Sequence, residues 1–195
     1  MSLYNFAPIA SHHQNHPFIT WDNGFTEDEL QKIIDYCDTL PKEEGVTGVN
    51  DKINSIRKCE VSWVKNENDI SWAYDRLGFI ARKINSQFYN FDLSGFVEDF
   101  QYTIYNGNND HYGWHNDMGN TSISPRKLTL VLQLSDPSEY EGGELQSFIG
   151  PQPSNVDKKK GMIAAFPSWT LHQVAPVTKG VRKTLVIWVA GPQFI

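Results

Sequence analysis

Apolar residues recur along this chain with two different periods. Leu30, Ile33, Ile34 and Cys37 fall three or four positions apart, the spacing of one face of an α-helix. Just before them, Thr26-Glu27-Asp28-Glu29 has the form of a capping box, so the spacing predicts a helix from there to Leu40-Pro41. Ala73, Leu77, Ile80, Ile84 and Phe88 repeat the pattern and predict a second helix over 69–89. Both apolar stripes need cover, and a sheet is expected to supply it. The stretch 41–58 between the helices is long and polar and contains Gly45 and Gly48, the composition of a lid or open loop. Glu60 to Val64 follows as a strand.

From Phe96 onward the period changes. Short apolar runs predict strands at 96–105, 111–117, 127–134, 143–148, 161–166, 171–176 and 183–190. Turn signals stand between them: Asn106-Gly107, Ser135-Asp136-Pro137, Glu141-Gly142-Gly143, Gly150-Pro151 and Lys179-Gly180. Strands without helices between them favour antiparallel pairing in a sandwich, jelly roll or barrel. Residues 1–20 show neither period and read as an irregular arm. That arm carries His12, His13 and His16, which no Cys or carboxylate pattern accompanies, so it is expected to be solvated.

Composition narrows the function classes. The 195 residues fit a single domain, with 1–95 as helical and lid support and 96–195 as the β-strand core. A net charge of −6 argues against a dedicated nucleic-acid binder. Cys37 and Cys59 make no disulfide framework, the start has no signal-peptide pattern, and the longest apolar stretches are strand-sized. A reduced, cytoplasmic protein without membrane partners is the expectation.

The chemistry gathers around His115-Asn116-Asp117. On an extended strand, residues i and i+2 share a face, so His115 and Asp117 can reach one metal ion. His172, on another predicted strand, is the third ligand candidate. Two imidazoles and one carboxylate form the ligand set of a non-haem Fe(II) facial triad, which leaves three positions for a chelating co-substrate and dioxygen. A zinc peptidase would need H-E-x-x-H on a helix. Here Tyr112 stands where the Glu should be, and Gly113 disfavours a helix.

The ordered set of residues resembles the 2-oxoglutarate- and Fe(II)-dependent dioxygenases of the prolyl 4-hydroxylase type. It comprises Tyr105-Asn106-Gly107, His115-x-Asp117, Arg126-x-x-Thr129, Glu141-Gly142-Gly143-Glu144-Leu145, Gly161 with Phe166-Pro167, and His172-x-x-x-Pro176-Val177-x-x-Gly180-x-Arg182 with Trp188. The resemblance covers close to half the chain and implies a mainly β fold with supporting helices, a double-stranded β-helix or jelly-roll barrel. It implies Fe(II), 2-oxoglutarate and O2 as cofactors and co-substrates, with ascorbate as a further ligand. His115, Asp117 and His172 would hold the iron. Arg182 would bind the distal carboxylate of 2-oxoglutarate, helped by Tyr105 and Thr184, while Lys183 points to the opposite face. Arg57 and Trp114 are the candidates for contact with substrate, and Trp188 reads as barrel wall. The implied activity is hydroxylation of peptidyl proline, like that of procollagen-proline 4-hydroxylase, with release of succinate and CO2. The alternative is a hydroxylase of a free amino acid or other small molecule. A non-catalytic metal-binding jelly roll would keep the triad but would need neither Arg182 nor Tyr105.

Overall fold

The computed structural model describes residues 16–45, 56–67, 69–119, 125–148 and 151–192. Helix α1 covers Glu27–Asp38. Its cap is reciprocal. The Glu29 N–H donates to the Thr26 hydroxyl at 3.3 Å, and the Thr26 N–H donates to the Glu29 carboxylate at 2.9 Å. Helix α2 covers Ser71–Ile84 and gives way to one π-helical turn, Asn85–Tyr89. The predicted helix at 69–89 is therefore two pieces. The Asn85 side chain bonds both the N–H and the carbonyl of Phe91 and pulls the chain out of helical geometry.

Apart from a short 3-10 turn at Pro137–Glu139, the remaining described elements are strands. They are β1 (Ile19–Trp21), β2 (Glu43–Glu44), β3 (Arg57–Lys58), β4 (Glu60–Val64), β5 (Phe100–Asn106), β6 (Asp110–His115), β7 (Arg126–Gln133), β8 (Tyr140–Gly142), β9 (Leu145–Phe148), β10 (Pro153–Asn155), β11 (Ile163–Pro167) and β12 (His172–Ala190). All pair antiparallel, and they form the two faces of a jelly-roll barrel. The major face runs β1-β11-β7-β12-β5-β4-β2. On the minor face the first half of β12 lies between β6 and the β8 and β9 strands, with β3 beyond β6 and β10 beyond β9.

The predicted strands at 171–176 and 183–190 are one strand. Lys179-Gly180 is the place where β12 leaves the minor face and joins the major one. Gly180 pairs with Tyr140 on the first, and Val181 with Asn106 on the second. Gly180 has φ +72, and a Cβ there would stand 1.9 Å from the Glu139 carbonyl oxygen. Only glycine fits both the backbone and the space.

Two further expectations change. Ile19–Trp21 pairs with Ile163–Ala165, so the arm ends in an edge strand, while His12 and His13 lie outside the described residues. The ends of 41–58 are strands, since β2 pairs with β4 and β3 with β6; residues 46–55, where the lid was expected, lie outside the described residues. Lys158 folds back on Glu144 at 2.6 Å and on the Gly142 carbonyl at 2.7 Å.

The alternation of the major sheet separates core from cavity. Leu185, Ile187 and Val189 face the helices and pack with Leu30, Ile33, Leu77 and Ile84. Residues between them on β12 face the barrel interior. Lys183 points outward and meets Asp38 of α1 at 2.7 Å. Cys37 and Cys59 are buried and free. No helix among the described residues is long and apolar enough to cross a membrane.

Candidate active site

The barrel interior opens into a cavity of about 420 Å³ lined by residues of both faces, among them His115, Asp117, His172, Arg182, Tyr105, Thr184 and Arg57. His115 and His172 are register partners across β6 and β12. Asp117 lies beyond the end of β6, so the i, i+2 argument places only His115 on the strand. Ser168 holds Asp117 instead: its carbonyl accepts the N–H of Asp117 at 2.8 Å and of Met118 at 3.0 Å. The loop before β12 thus turns the carboxylate toward the two imidazoles.

The ligand atoms of the three side chains lie within 4.8 Å of one another. Nε2 of His115 is 3.6 Å from Oδ1 of Asp117, and Nε2 of His172 is 3.8 Å from Oδ2. Each Nδ1 faces a backbone carbonyl, Gly113 at 2.7 Å and Thr170 at 2.9 Å. A carbonyl only accepts, so each Nδ1 carries the proton and each Nε2 lone pair is free for a metal. Burial lowers the pKa of His172 and so favours the neutral imidazole that a metal needs. For Asp117, burial raises the pKa, but the His172 and His115 imidazoles and the Thr129 hydroxyl outweigh it. The carboxyl is held well below its ordinary range. Two imidazole nitrogens and a carboxylate brought together on one cavity wall suit a divalent first-row metal.

The supporting shell went largely unread in the sequence. Thr129 donates to Oδ2 of Asp117 at 2.8 Å, and Ser168 lies 3.0 Å from Thr129. Arg126 donates to the Asp117 carbonyl at 3.2 Å, pairs with Glu98 and lies 3.7 Å over the Trp188 ring. Tyr112 stacks on His115 with centroids 3.4 Å apart. The spacing Arg126-x-x-Thr129 was the one signal that could have found two of these residues.

Arg182 is 3% exposed, and its Nε and Nη1 are buried without a hydrogen-bond partner. It is paired in register with Tyr105, whose ring centroid is 5.5 Å from the guanidinium and whose hydroxyl burial holds protonated. An orphaned, always-charged fork at the back of a cavity fits the distal carboxylate of 2-oxoglutarate. Thr184 lies one step along the same face and lines the same cavity. Gly143, at φ +65, makes room for this arginine, because a Cβ there would stand 3.0 Å from Arg182 Cδ. Trp188 forms part of the wall. Trp114 is not among the residues lining the cavity and packs on Phe148 instead, with centroids 4.7 Å apart.

Comparison with known proteins agrees with this geometry. The sequence model of the 2OG-Fe(II) oxygenase superfamily matches residues 100–190, the span that holds the triad, Tyr105 and Arg182. A PKHD-type hydroxylase from Synechococcus sp. strain CC9902 is 40% identical over 80 residues, covering 41% of this chain and 36% of the relative. The chain thus spans about a third of the length of the first curated relatives it matches. A PKHD-type hydroxylase from Rippkaea orientalis is 27% identical over 185 residues, covering 88% of this chain and 77% of that one. Among solved structures, a Pseudomonas putida prolyl-4-hydroxylase superposes with a TM-score of 0.72 at 19% identity, covering 91% of this chain and 94% of that one. A Trichoplax adhaerens prolyl hydroxylase in complex with a hypoxia inducible factor peptide fragment gives 0.74 at 19% identity, with coverages of 89% and 83%. At these identities the structural likeness speaks for the shared jelly-roll fold.

Proposed function

We propose that the chain is a 2-oxoglutarate- and Fe(II)-dependent hydroxylase. The observation that carries this reading is the buried Arg182 fork, unpartnered in the same cavity as two imidazoles and a carboxylate. A non-catalytic metal protein would have no use for it. His115, Asp117 and His172 would hold Fe(II), and Arg182, with Tyr105 and Thr184 beside it, would hold 2-oxoglutarate. Together with dioxygen, these supply the oxidising power to convert C–H to C–OH, while 2-oxoglutarate becomes succinate and CO2. The chain's own work is to orient and to exclude water. The Nδ1–H bonds fix both imidazole tautomers. Thr129, Ser168 and Arg126 fix the carboxylate. The apolar walls from Val131, Leu145, Val174 and Val186 keep the cavity dry.

Two substrate readings follow. Peptidyl proline is the class the motif set suggests, with ascorbate keeping the iron reduced. A free amino acid or related small molecule is the second reading, and the placement of Arg57 favours it. The deciding experiment for the activity is anaerobic addition of Fe(II) and 2-oxoglutarate. A weak visible charge-transfer band that needs both components is expected, followed by succinate formation in air. Absence of both signals would remove the oxygenase reading.

A further inference from the structure

The cavity contains a second cation that the chemistry above does not use. Arg57 is 7% exposed and lines the same cavity as the triad. Its Nη2 donates to Oε1 of Gln101 at 2.7 Å and its Nε to Sγ of Cys59 at 3.0 Å. Gln101 is neutral, and burial raises the pKa of the Cys59 thiol, so neither partner brings a negative charge. None of the ion pairs among the described residues includes Arg57. A guanidinium does not neutralise itself by losing a proton, and burying its charge is costly until an anion arrives.

The co-substrate cannot answer this charge. 2-Oxoglutarate has two carboxylates, of which one belongs at Arg182 and the other beside the keto group at the metal. A third carboxylate is needed. Arg57 is also in the right place to hold one near the reaction. Its Cζ is 4.5 Å from the centroid of the Tyr112 ring, and that ring stacks on His115 at 3.4 Å. The guanidinium is thus two ring layers from a triad imidazole. Gln101 Oε1 also accepts from the Thr103 hydroxyl at 3.4 Å. Gln101 and Thr103 line the same cavity.

We propose that Arg57 anchors the carboxylate of the prime substrate, and that this substrate is a small free acid of the amino- or imino-acid class. A residue inside a polypeptide has a neutral amide carbonyl where the free acid has a carboxylate, and it would leave the buried charge unanswered. The inference rests on the reading of the cavity as a 2-oxoglutarate and Fe(II) site.

The test is calorimetric titration of the whole chain loaded with Mn(II) and 2-oxoglutarate. The titrants are the proteinogenic L-amino acids and L-pipecolate, each beside its own carboxamide, and an end-capped Pro-containing peptide. At least one free acid should bind, and its carboxamide should bind roughly 30-fold or more weakly, the cost of leaving a buried charge unpaired. Arg57→Gln should weaken the acid by a similar factor, and Arg57→Lys should restore part of the loss. The proposal is overturned if no free acid binds, if acid and carboxamide bind alike, or if the capped peptide binds as tightly as any acid. It is also overturned if Arg57→Gln weakens 2-oxoglutarate as much as the acid. Should that variant fail to fold, the comparison of acid with carboxamide on the unaltered chain still decides. Failure of the underlying reading looks different: 2-oxoglutarate itself would then show no metal-dependent binding before any titrant is added.

Discussion

Thr129 donates its hydroxyl hydrogen to Oδ2 of Asp117 at 2.8 Å, although twelve positions of sequence separate the two residues. The same carboxylate would hold the metal, so this bond sets the direction in which its other lone pairs point. Thr129→Val keeps the shape and removes the donor. The expected result is a metal affinity about 10–100-fold weaker, the usual effect of losing such a supporting bond. Titration with Mn(II) followed by electron paramagnetic resonance reads it directly. An affinity equal to that of the unaltered chain would deny the hydroxyl any part in the site.

His115→Ala, Asp117→Ala and His172→Ala should each abolish Fe(II)-dependent succinate formation and keep the fold. The three side chains stand in the cavity, apart from the apolar cluster that joins helices to sheet. Circular dichroism and 2-oxoglutarate turnover measured together check this. Near-normal turnover in any one of the three would break the ligand assignment.

Arg182 and Lys183 are chain neighbours on opposite faces of β12, and their alanine variants should separate cleanly. Arg182→Ala should weaken 2-oxoglutarate by about 2–5 kcal/mol, roughly 30- to several-thousand-fold, the cost of removing one partner of a buried charge pair. Lys183→Ala only releases Asp38 on α1. Its 2-oxoglutarate affinity should stay near that of the unaltered chain. A larger loss at Lys183 would move the anchor.

The tie between α1 and the sheet should show in the pH dependence of stability. Burial raises the Asp38 pKa, yet the bonds from Lys183 and Tyr102 outweigh it, so the folded carboxyl lies below its ordinary 3.8. A group lowered on folding stabilises the protein above its unfolded pKa and stops doing so as pH falls through the folded one. Urea unfolding of Asp38→Asn beside the unaltered chain should therefore show a stability gap near pH 6 that narrows below about pH 4. At the other end, burial and the Asp38 bond raise the Tyr102 hydroxyl far above its ordinary 10.0, so its contribution is full below that value and is lost progressively as pH rises past it. A gap independent of pH would mean that Asp38 acts through shape rather than charge.

Much of the architecture could be read from periodicity. The capping box at Thr26, the strand at 60–64 and most barrel strands appear within a few residues of where apolar alternation puts them, because both depend on contacts between near neighbours. β7 is buried along its whole length, so its burial does not reveal which side faces the cavity. The continuous β12 was misread as two strands. A turn and a change of sheet both require a glycine at positive φ, and only the partners Tyr140 and Asn106 tell them apart.

The sequence alone determined the kinds of atom available: two imidazoles, one carboxylate, one tyrosine and one arginine, in an order that resembles that of the 2-oxoglutarate- and Fe(II)-dependent dioxygenases. It also determined that Lys183 faces away from Arg182, since strand alternation is local. Tertiary structure decided how those atoms meet. It moved Asp117 off the strand and onto the Ser168 carbonyl, set Thr129 and Arg126 behind it, and sent Trp114 to Phe148. It also buried Arg57 beside Tyr112 with no counter-charge among the described residues. A residue's chemistry belongs to its side chain, but hydrogen-bond partners and burial come from segments far away in sequence, and no local pattern encodes which of them folding brings together.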